Sequence, residues 1–306
     1  MEKCGWLCID KPKGISSAKV VSILRSLLKM QKIGHAGTLD PLATGVLPVA
    51  IGEATKSVMF VQDCMKGYEF GIQFGRETDS YDEEGKTVLE NDYMPSKEKI
   101  LEEVPKFLGK IKQTPPVFSA IRVSGRRAYE MARSGEKVEL KERDILIESL
   151  EITSYDQKKK QVKFKVECGK GTYIRSLGHD LAKNCGGIGY IFDLRRTKVG
   201  DFGKKNLISL EILEKIVHNT DLDDVLLSVD SVLDDIPAIL FSEDEARKLL
   251  NGVKIEIDSA RFSDQDSQVY LAKNLGRLLA IGKVVNSKFA PVRIFNFNKE
   301  YYDVDY

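Results

Sequence analysis

One acidic residue, Asp40, has the sequence surroundings of a catalytic carboxylate. It stands in a glycine-spaced loop between Gly34 and Gly45, and it is followed by Pro41. A proline disfavours the α region for the residue before it, so Asp40 is expected on extended or turning backbone. Residues 46–51 are apolar throughout, which is typical of a buried strand. A single acid held in a tight loop against a core segment is a candidate nucleophile.

The same residues also permit a purely structural interpretation. Aspartate is a favoured N-cap and proline a favoured first residue of an α-helix, so Asp40 and Pro41 could simply begin a helix. His35 and Thr38 add polar groups to this loop, which favours a functional site. Local sequence alone leaves both interpretations open.

The composition limits the class of protein. The 306 residues are 42% hydrophobic and 30% charged, enough for one large core and a small additional domain. We find no run of about 18 apolar residues and no signal peptide, and therefore expect a cytoplasmic protein that does not associate with membranes. The five cysteines have no paired spacing and there are only three histidines, so we expect reduced cysteines and no metal site.

Charge is distributed unevenly along the chain. The net charge is +1 overall, but residues 207–266 carry 5 basic and 15 acidic groups. Residues 267–306 carry 6 basic and 3 acidic groups, which leaves a net charge of +8 on residues 1–206. A basic first part suits a polyanionic partner, although exposed lysines also simply solvate a surface.

Hydrophobic periodicity predicts the elements that must position Asp40. Alternation and apolar runs predict strands over residues 5–10, 46–51, 68–74 and 162–168. Helical spacing predicts helices over residues 18–30, 96–108 and about 174–184. Residues 75–85 are predicted to form an acidic loop. Strands mixed with helices, without regular βαβ alternation, indicate an α+β core.

A domain boundary is predicted in the acidic segment that ends at Pro237. Beyond it, short strands over 269–272, 277–282 and 291–295 predict a small β-rich domain. The chain is therefore divided into a catalytic domain, residues 1–236, with an insert around 115–145, and a second domain, residues 237–306.

Several segments resemble motifs of the TruB family of tRNA pseudouridine synthases, in the family's order. Residues 34–47 meet every fixed position of the pattern G-H-x-G-T-L-D-P-x-A-x-G-x-L. The further matches are residues 10–17, 66–68, 115–129, 171–177 and 194–197. The segment from about 238 resembles, more weakly, a PUA domain, a small RNA-binding β-barrel. The resemblance covers nearly the whole chain.

This resemblance implies a fold and a reaction. The fold is the pseudouridine synthase fold, with a central, mostly antiparallel sheet flanked by helices. The reaction is isomerisation of uridine to pseudouridine in RNA, usually at position 55 in the T loop of tRNA, without a cofactor. Asp40 corresponds to the essential carboxylate and Arg175 to its cationic partner. The guanidinium would keep the acid ionised.

The resemblance also implies the residues that hold the flipped base. Tyr68 would stack on the uracil and handle its proton, Tyr173 would line the pocket near Asp40, and Leu194 would close its apolar wall. His35 would insert where displaced bases lay. Contacts with RNA phosphates are expected from exposed basic residues: Arg122, Arg126, Arg127, Lys158 and Lys159.

Two other functions share these features. One is a guide-RNA-dependent relative working inside a ribonucleoprotein; such relatives usually carry an N-terminal extension, for which a first motif at residue 10 leaves no room. The other is an RNA chaperone that binds and refolds tRNA without catalysis. A dinucleotide-binding enzyme is disfavoured, because residues 34–37 lack the G-x-G-x-x-G spacing. We expect a monomer that needs no protein partner.

Overall fold

A mixed β-sheet is the frame of the molecule. The computed structural model describes residues 3–119, 121–123, 125–136, 138–219, 222–261 and 269–296. In these ranges the large sheet contains nine strands: β1 (Gly5–Lys11), β2 (Ile33–His35), β3 (Thr44–Ile51), β4 (Lys66–Phe74), β7 (Gly109–Gln113), β10 (Arg143–Asp156), β11 (Gln161–Cys168), β12 (Gly189–Val199) and β13 (Leu207–Ser209).

Two small hairpins stand outside this sheet, β5 (Arg76–Thr78) with β6 (Thr87–Glu90) and β8 (Arg122–Val123) with β9 (Arg126–Arg127). The helices are α1 (Ser17–Leu28), α2 (Val58–Asp63), α3 (Lys97–Glu103), α4 (Ala128–Arg133), α5 (Ile174–Asn184), α6 (Leu210–Asn219) and α7 (Glu243–Leu250). In the described part of the chain no helix is long and apolar enough to cross a membrane.

The strand order of the large sheet confirms the predicted α+β class. The order is β13-β1-β3-β12-β4-β11-β10-β7, with β2 paired to β3. All neighbours are antiparallel except the pairs β1 with β13 and β3 with β12. The parallel pair of β3 and β12 matters for function, because it places the start of β3, where the Asp40 loop ends, beside β12.

Alternation along β4 explains the position of the main core. Tyr68, Phe70, Ile72 and Phe74 point to one face of the sheet and are buried in the same hydrophobic cluster. Leu177 and Leu181, one helical turn apart on α5, are buried in that cluster as well. The face of the sheet that carries Tyr68 is therefore covered by α5.

A second sheet follows the acidic segment. It contains β14 (Ala238–Leu240), β15 (Ile255–Glu256), β16 (Val269–Asn274), β17 (Arg277–Val285) and β18 (Lys288–Ile294), in the order β14-β16-β17-β18-β15. These strands form a curled half-barrel, consistent with the predicted PUA-like unit. The predicted boundary at 236/237 stays a prediction, although the first strand of this sheet begins at Ala238.

The two sheets share a hydrophobic cluster. Trp6 and Phe202, from the large sheet and its connection, are buried together with Leu271, Leu278 and Phe295 from the second sheet and its end. The rings of Trp6 and Phe202 lie 5.5 Å apart, tilted by 56°. The second sheet is thus packed against the first through a common apolar core.

Two predicted elements differ from those observed. The predicted helix over 96–108 is α-helical only to Glu103, and residues 104–107 form a 3₁₀ turn containing Pro105, which lacks the N–H that an α-helix would use. The predicted loop 75–85 begins with β5, which pairs with β6. Its remainder, residues 79–85, is a loop as predicted.

Candidate active site

The loop that carries Asp40 is irregular and lies between β2 and β3. The Asp40 carbonyl accepts a hydrogen bond of 3.1 Å from the Ala43 N–H, and residues 38–43 are not helical. The Pro41 carbonyl accepts instead from the N–H of Gly14, at 2.8 Å. The helix N-cap interpretation of Asp40 is therefore wrong, and its side chain remains 36% exposed.

Lys11, the last residue of β1, holds this loop by a hydrogen bond to Pro41. Its side chain is fully buried, and its Nζ donates to the carbonyls of Pro12, Ile15 and Pro41, at 2.9, 2.7 and 3.3 Å. Burial lowers the pKa of Lys11 to about 8, and the negative charge of Asp40 opposes that shift. A buried cation thus fixes the residue next to Asp40.

Arg196 of β12 anchors the other side of the loop. The side chain is buried, and it donates from Nε to the Val46 carbonyl at 2.7 Å and from Nη2 to the Gly37 carbonyl at 3.0 Å. Gly45 has a φ of +98°, and a Cβ there would lie 2.2 Å from the Arg196 carbonyl oxygen. Only glycine permits this approach of β3 to β12.

Arg175, in the first turn of α5, is the cation of the site. Its Nε donates to Oδ2 of Asp40 at 2.9 Å, its Nη1 to the Ser80 carbonyl at 3.0 Å, and its Nη2 to the Phe118 carbonyl at 2.9 Å. A carboxylate oxygen of Asp82 lies 3.4 Å from Nη1. The planar guanidinium is therefore fixed through all three of its nitrogens, and Asp40 is the more exposed of its two acidic partners.

Asp82 is a second acid beside Arg175. It is buried, it accepts a hydrogen bond of 2.5 Å from the Ser80 hydroxyl, and its carbonyl accepts one of 2.7 Å from Thr78. Burial raises its pKa, the charge of Asp40 raises it further, and the Ser80 hydroxyl and Arg175 lower it. The loop after β5 thus closes the site around Arg175.

Two of the predicted pocket residues, Tyr68 and Tyr173, lie close enough to Asp40 to feel its charge. Tyr68 pairs with Arg196 across β4 and β12 and is buried. Tyr173 is half-buried at the N-cap of α5. Burial raises the pKa of both hydroxyls, and the negative charge of Asp40 contributes to both shifts, which places these groups within its field. Leu194 is buried in the cluster that includes Tyr68.

His35 lies at the end of β2, where the Asp40 loop begins. It is half-buried, and burial and the nearby Arg196 lower its pKa, so the imidazole is neutral at neutral pH. Among the described residues its buried Nδ1 has no hydrogen-bond partner. A neutral ring is suited to stacking.

The predicted phosphate contacts fall in two places. Arg122, Arg126 and Arg127 are exposed on the β8–β9 hairpin, whose insert also supplies the Phe118 carbonyl to Arg175. Lys158 and Lys159 lie in the turn joining β10 to β11. The β11–β4 register puts that turn beside Gln73, roughly 17 Å along the strand from Tyr68. The arginines therefore belong to the insert that contacts Arg175 through Phe118, and the lysines lie at the far end of the sheet.

Three residues of the site were not predicted. Lys11 follows Asp10 at the end of β1, and only the fold shows that this lysine is buried. Arg196 shares a strand face with Leu194, which period-2 alternation could have shown. Asp82 gave no local signal.

Within the described ranges, no group of three or more metal-binding side chains is clustered, and all five cysteines are free.

The sequence is similar to a known family over most of its length. Residues 25–174 match the TruB family pseudouridylate synthase N-terminal domain, and residues 175–234 match the tRNA pseudouridylate synthase B C-terminal domain. The tRNA pseudouridine synthase B of Caulobacter vibrioides is 43% identical over 298 residues, covering 95% of this chain and 96% of that protein. The enzyme of that name from Rickettsia bellii (strain OSU 85-389) is 42% identical, covering 96% and 99%.

Solved structures show the same fold at lower identity. A chain from the crystal structure of a Cbf5-Nop10-Gar1 complex superposes with a TM-score of 0.74 at 23% identity, covering 98% of this chain and 87% of that chain. A chain from an H/ACA RNP bound to a substrate RNA containing 2'-deoxyuridine gives 0.71 at 22% identity, covering 95% and 84%. These likenesses concern the fold alone.

Proposed function

The chain belongs to the TruB family of pseudouridylate synthases, and on this premise we propose that it isomerises uridine to pseudouridine at position 55, in the T loop of tRNA. The observation that carries the proposal is the ion pair of 2.9 Å between Arg175 Nε and Asp40 Oδ2. It presents one partly exposed carboxylate, held by a buried cation, beside Tyr68 and Tyr173. Relatives over 40% identical along nearly the whole chain are named tRNA pseudouridine synthase B.

The reaction rearranges bonds within one nucleoside. The glycosidic bond from C1′ of the ribose to N1 of uracil breaks, the uracil turns, a bond from C1′ to C5 forms, and a proton leaves C5 while N1 gains one. Asp40 supplies the carboxylate that acts on the ribose or the base. Arg175 fixes the orientation of Asp40 through their charge-assisted hydrogen bond of 2.9 Å.

The pocket residues stabilise a uridine that has left its stack. Flipping a base costs about a few kcal/mol. Stacking on Tyr68, contact with Leu194 and the hydroxyl of Tyr173 offset that cost, and the neutral ring of His35 replaces the stacking that the loop gives up. His35 ends β2, where the Asp40 loop begins, and Tyr173 precedes α5, while Tyr68 and Leu194 lie on the paired strands β4 and β12.

The partner is the T stem-loop of tRNA, bound by the exposed arginines of the β8–β9 hairpin. All three guanidinium nitrogens of Arg175 are hydrogen-bonded within this chain, which supports a monomer that needs no protein partner for catalysis. Five free cysteines suit a reducing compartment, which supports a cytoplasmic location.

The test is to map pseudouridine in unmodified tRNA after incubation with the purified chain, with nothing added but buffer and salt. We expect one equivalent of pseudouridine at position 55. A matched transcript with cytidine at that position should stay unmodified. Modification elsewhere in the first transcript, or none at all, would refute the proposal.

A further inference from the structure

A buried glutamine joins the edge strand of the large sheet to the start of α5. Gln113 is the last residue of β7 and only 3% exposed. Its Oε1 accepts a hydrogen bond of 2.8 Å from the N–H of Tyr173, and its Nε2 donates one of 3.1 Å to the Tyr173 carbonyl. One side-chain amide thus satisfies both main-chain groups of a pocket residue.

We propose that Gln113 is a positioning residue for pseudouridine formation, which sets the places of Tyr173 and Arg175 through these two hydrogen bonds. The inference rests on the proposed function of the chain. Gln113 contacts the main chain of Tyr173 and is itself too buried to touch RNA.

The start of α5 needs such support, because it has no cap of its own. Tyr173 is the N-cap, and its side chain makes no capping hydrogen bond. In a capping box, a Glu or Gln three residues into the helix accepts from the N–H of the N-cap residue. Here that position is Ser176, whose hydroxyl donates instead to the Thr114 carbonyl at 2.8 Å. Gln113 supplies the missing acceptor from 60 residues away.

The same segment reaches Arg175 by a further bond. Residues 113–118 contact the first turn of α5 through Gln113, through the Thr114 carbonyl, and through the Phe118 carbonyl that accepts from Arg175 Nη2 at 2.9 Å. The Arg175 guanidinium holds Asp40. A shift of the α5 start would therefore displace Tyr173 and Arg175 together, and small displacements of positioned groups cost up to about 100-fold in rate.

The test is the variant Gln113→Glu, assayed across pH. A protonated carboxylic acid can both accept from the Tyr173 N–H and donate to its carbonyl, whereas a carboxylate cannot donate. Burial raises the pKa of a carboxyl group, whereas the guanidinium groups of Arg143, which is opposite Gln113 on β10, and of Arg175 act to lower it, so the rate is measured from acidic to alkaline pH. We expect the single-turnover rate, relative to wild type, to be nearly normal at low pH and to fall about tenfold or more as the pH rises to about 8.5.

The matched control is Gln161→Glu, which removes an amide donor from the same sheet, where Gln161 Nε2 donates to Gln73 Oε1 at 2.9 Å. Its rate relative to wild type should not vary with pH. The affinity of Gln113→Glu for tRNA should change less than about twofold, because Gln113 is buried.

A second variant covers the case in which Gln113→Glu does not fold. Gln113→Asn keeps the amide but is one methylene short, so we expect a folded protein with a rate reduced about tenfold and an unchanged affinity. The role of Gln113 would be overturned if the rate of Gln113→Glu relative to wild type did not vary with pH. It would also be overturned if Gln113→Glu or Gln113→Asn lost tRNA affinity but kept the wild-type rate. A wild type that forms no pseudouridine would refute the proposed function and this inference with it.

Discussion

Arg175 and Asp40 are joined by a hydrogen bond of 2.9 Å, yet they differ sharply in exposure. The side chain of Arg175 is 5% exposed and that of Asp40 is 36% exposed. The cation is therefore fixed by the protein interior, while the acid reaches the surface. The direction in which Asp40 points is set by Arg175, and several consequences can be measured.

Asp40→Asn should abolish pseudouridine formation without abolishing tRNA binding. The amide has nearly the shape of the carboxylate but no charge and no nucleophilic oxygen. We expect no detectable pseudouridine and a dissociation constant within about threefold of wild type, since one partly exposed group changes binding little. Mapping and filter binding give the two values. Surviving modification would show that Asp40 is not the essential carboxylate, and retained tRNA refolding without modification would reveal a separate chaperone activity.

Arg175→Lys should lower the rate even though it keeps the charge. A lysine ammonium cannot span Asp40, the Ser80 carbonyl and the Phe118 carbonyl at once, as the planar guanidinium does. Because two charge-assisted hydrogen bonds disappear, we expect kcat to fall by about 100-fold. The control is Arg25→Lys, which alters an exposed arginine on α1 that donates to the Ile33 carbonyl. Equal effects of both changes would remove Arg175 from the mechanism.

Lys11→Met should lower kcat about tenfold or more, because the Pro41 carbonyl beside Asp40 loses its buried donor. The pKa of Lys11, about 8, adds a pH signature. Above this pKa the wild-type amine loses its charge and one of its N–H donors. The difference in kcat between wild type and Lys11→Met should therefore become smaller. Lys13→Met, at an exposed lysine paired with Glu83, is the control. A difference in kcat that stays constant as the pH passes through the pKa of Lys11 would contradict the role of Lys11.

Asp180→Asn should stabilise the fold at neutral pH. Burial in α5 raises the pKa of Asp180 to about 6, whereas an unfolded aspartate titrates near about 3.9. Between these values the unfolded chain releases a proton that the folded chain keeps, so the wild type loses stability as the pH rises and then levels off. At an acidic pH close to the pKa of an unfolded aspartate, the variant should have the same Tm as the wild type. At neutral pH its Tm should be higher. Asp201→Asn, at an exposed acid, should show no such divergence.

Binding of tRNA should weaken with salt, with a slope of log K against log salt steeper than about −2. Replacing Arg122 and Arg127 on the exposed hairpin by alanine should make the slope shallower, by up to about 0.9 for each phosphate that is no longer neutralised. The same measurement on Lys158→Ala and Lys159→Ala decides whether the turn at the far end of the sheet also touches RNA. A flat salt response of the wild type would contradict a basic binding face.

The fold was largely accessible from periodicity, and the exceptions have physical causes. The helix predicted over 18–30 is observed as α1, capped by Ser16 and ended by Lys29 in the left-handed region. The strand β5 was missed because three residues carry no usable period and are fixed by pairing with β6. The helix α7, begun by a capping box of Ser242 and Glu245, was also not predicted.

Residues of the candidate site could be predicted only where they lie in a family motif that assigns them a role. Asp40 and Arg175 are 135 positions apart, and the structure joins them at hydrogen-bond distance. Asp82 could not be found in advance, because its importance comes from burial against Arg175 and not from its neighbours in sequence. The helix-cap interpretation of Asp40 failed for the same reason: Lys11, at the end of β1, and Gly14, in the turn after it, donate to the Pro41 carbonyl.

The apolar cluster shared by the two sheets limits how the chain can be divided or recombined. Trp6 and Phe202 would lose their cover if the polypeptide were cut before Ala238, since Leu271 and Phe295 are part of that cover. A shortened chain would expose large aromatic surface and aggregate, and a chimera would need matched replacements on both sides. The distance between Asp40 and the C-terminal sheet is therefore set by packing, and a longer connector would not change it.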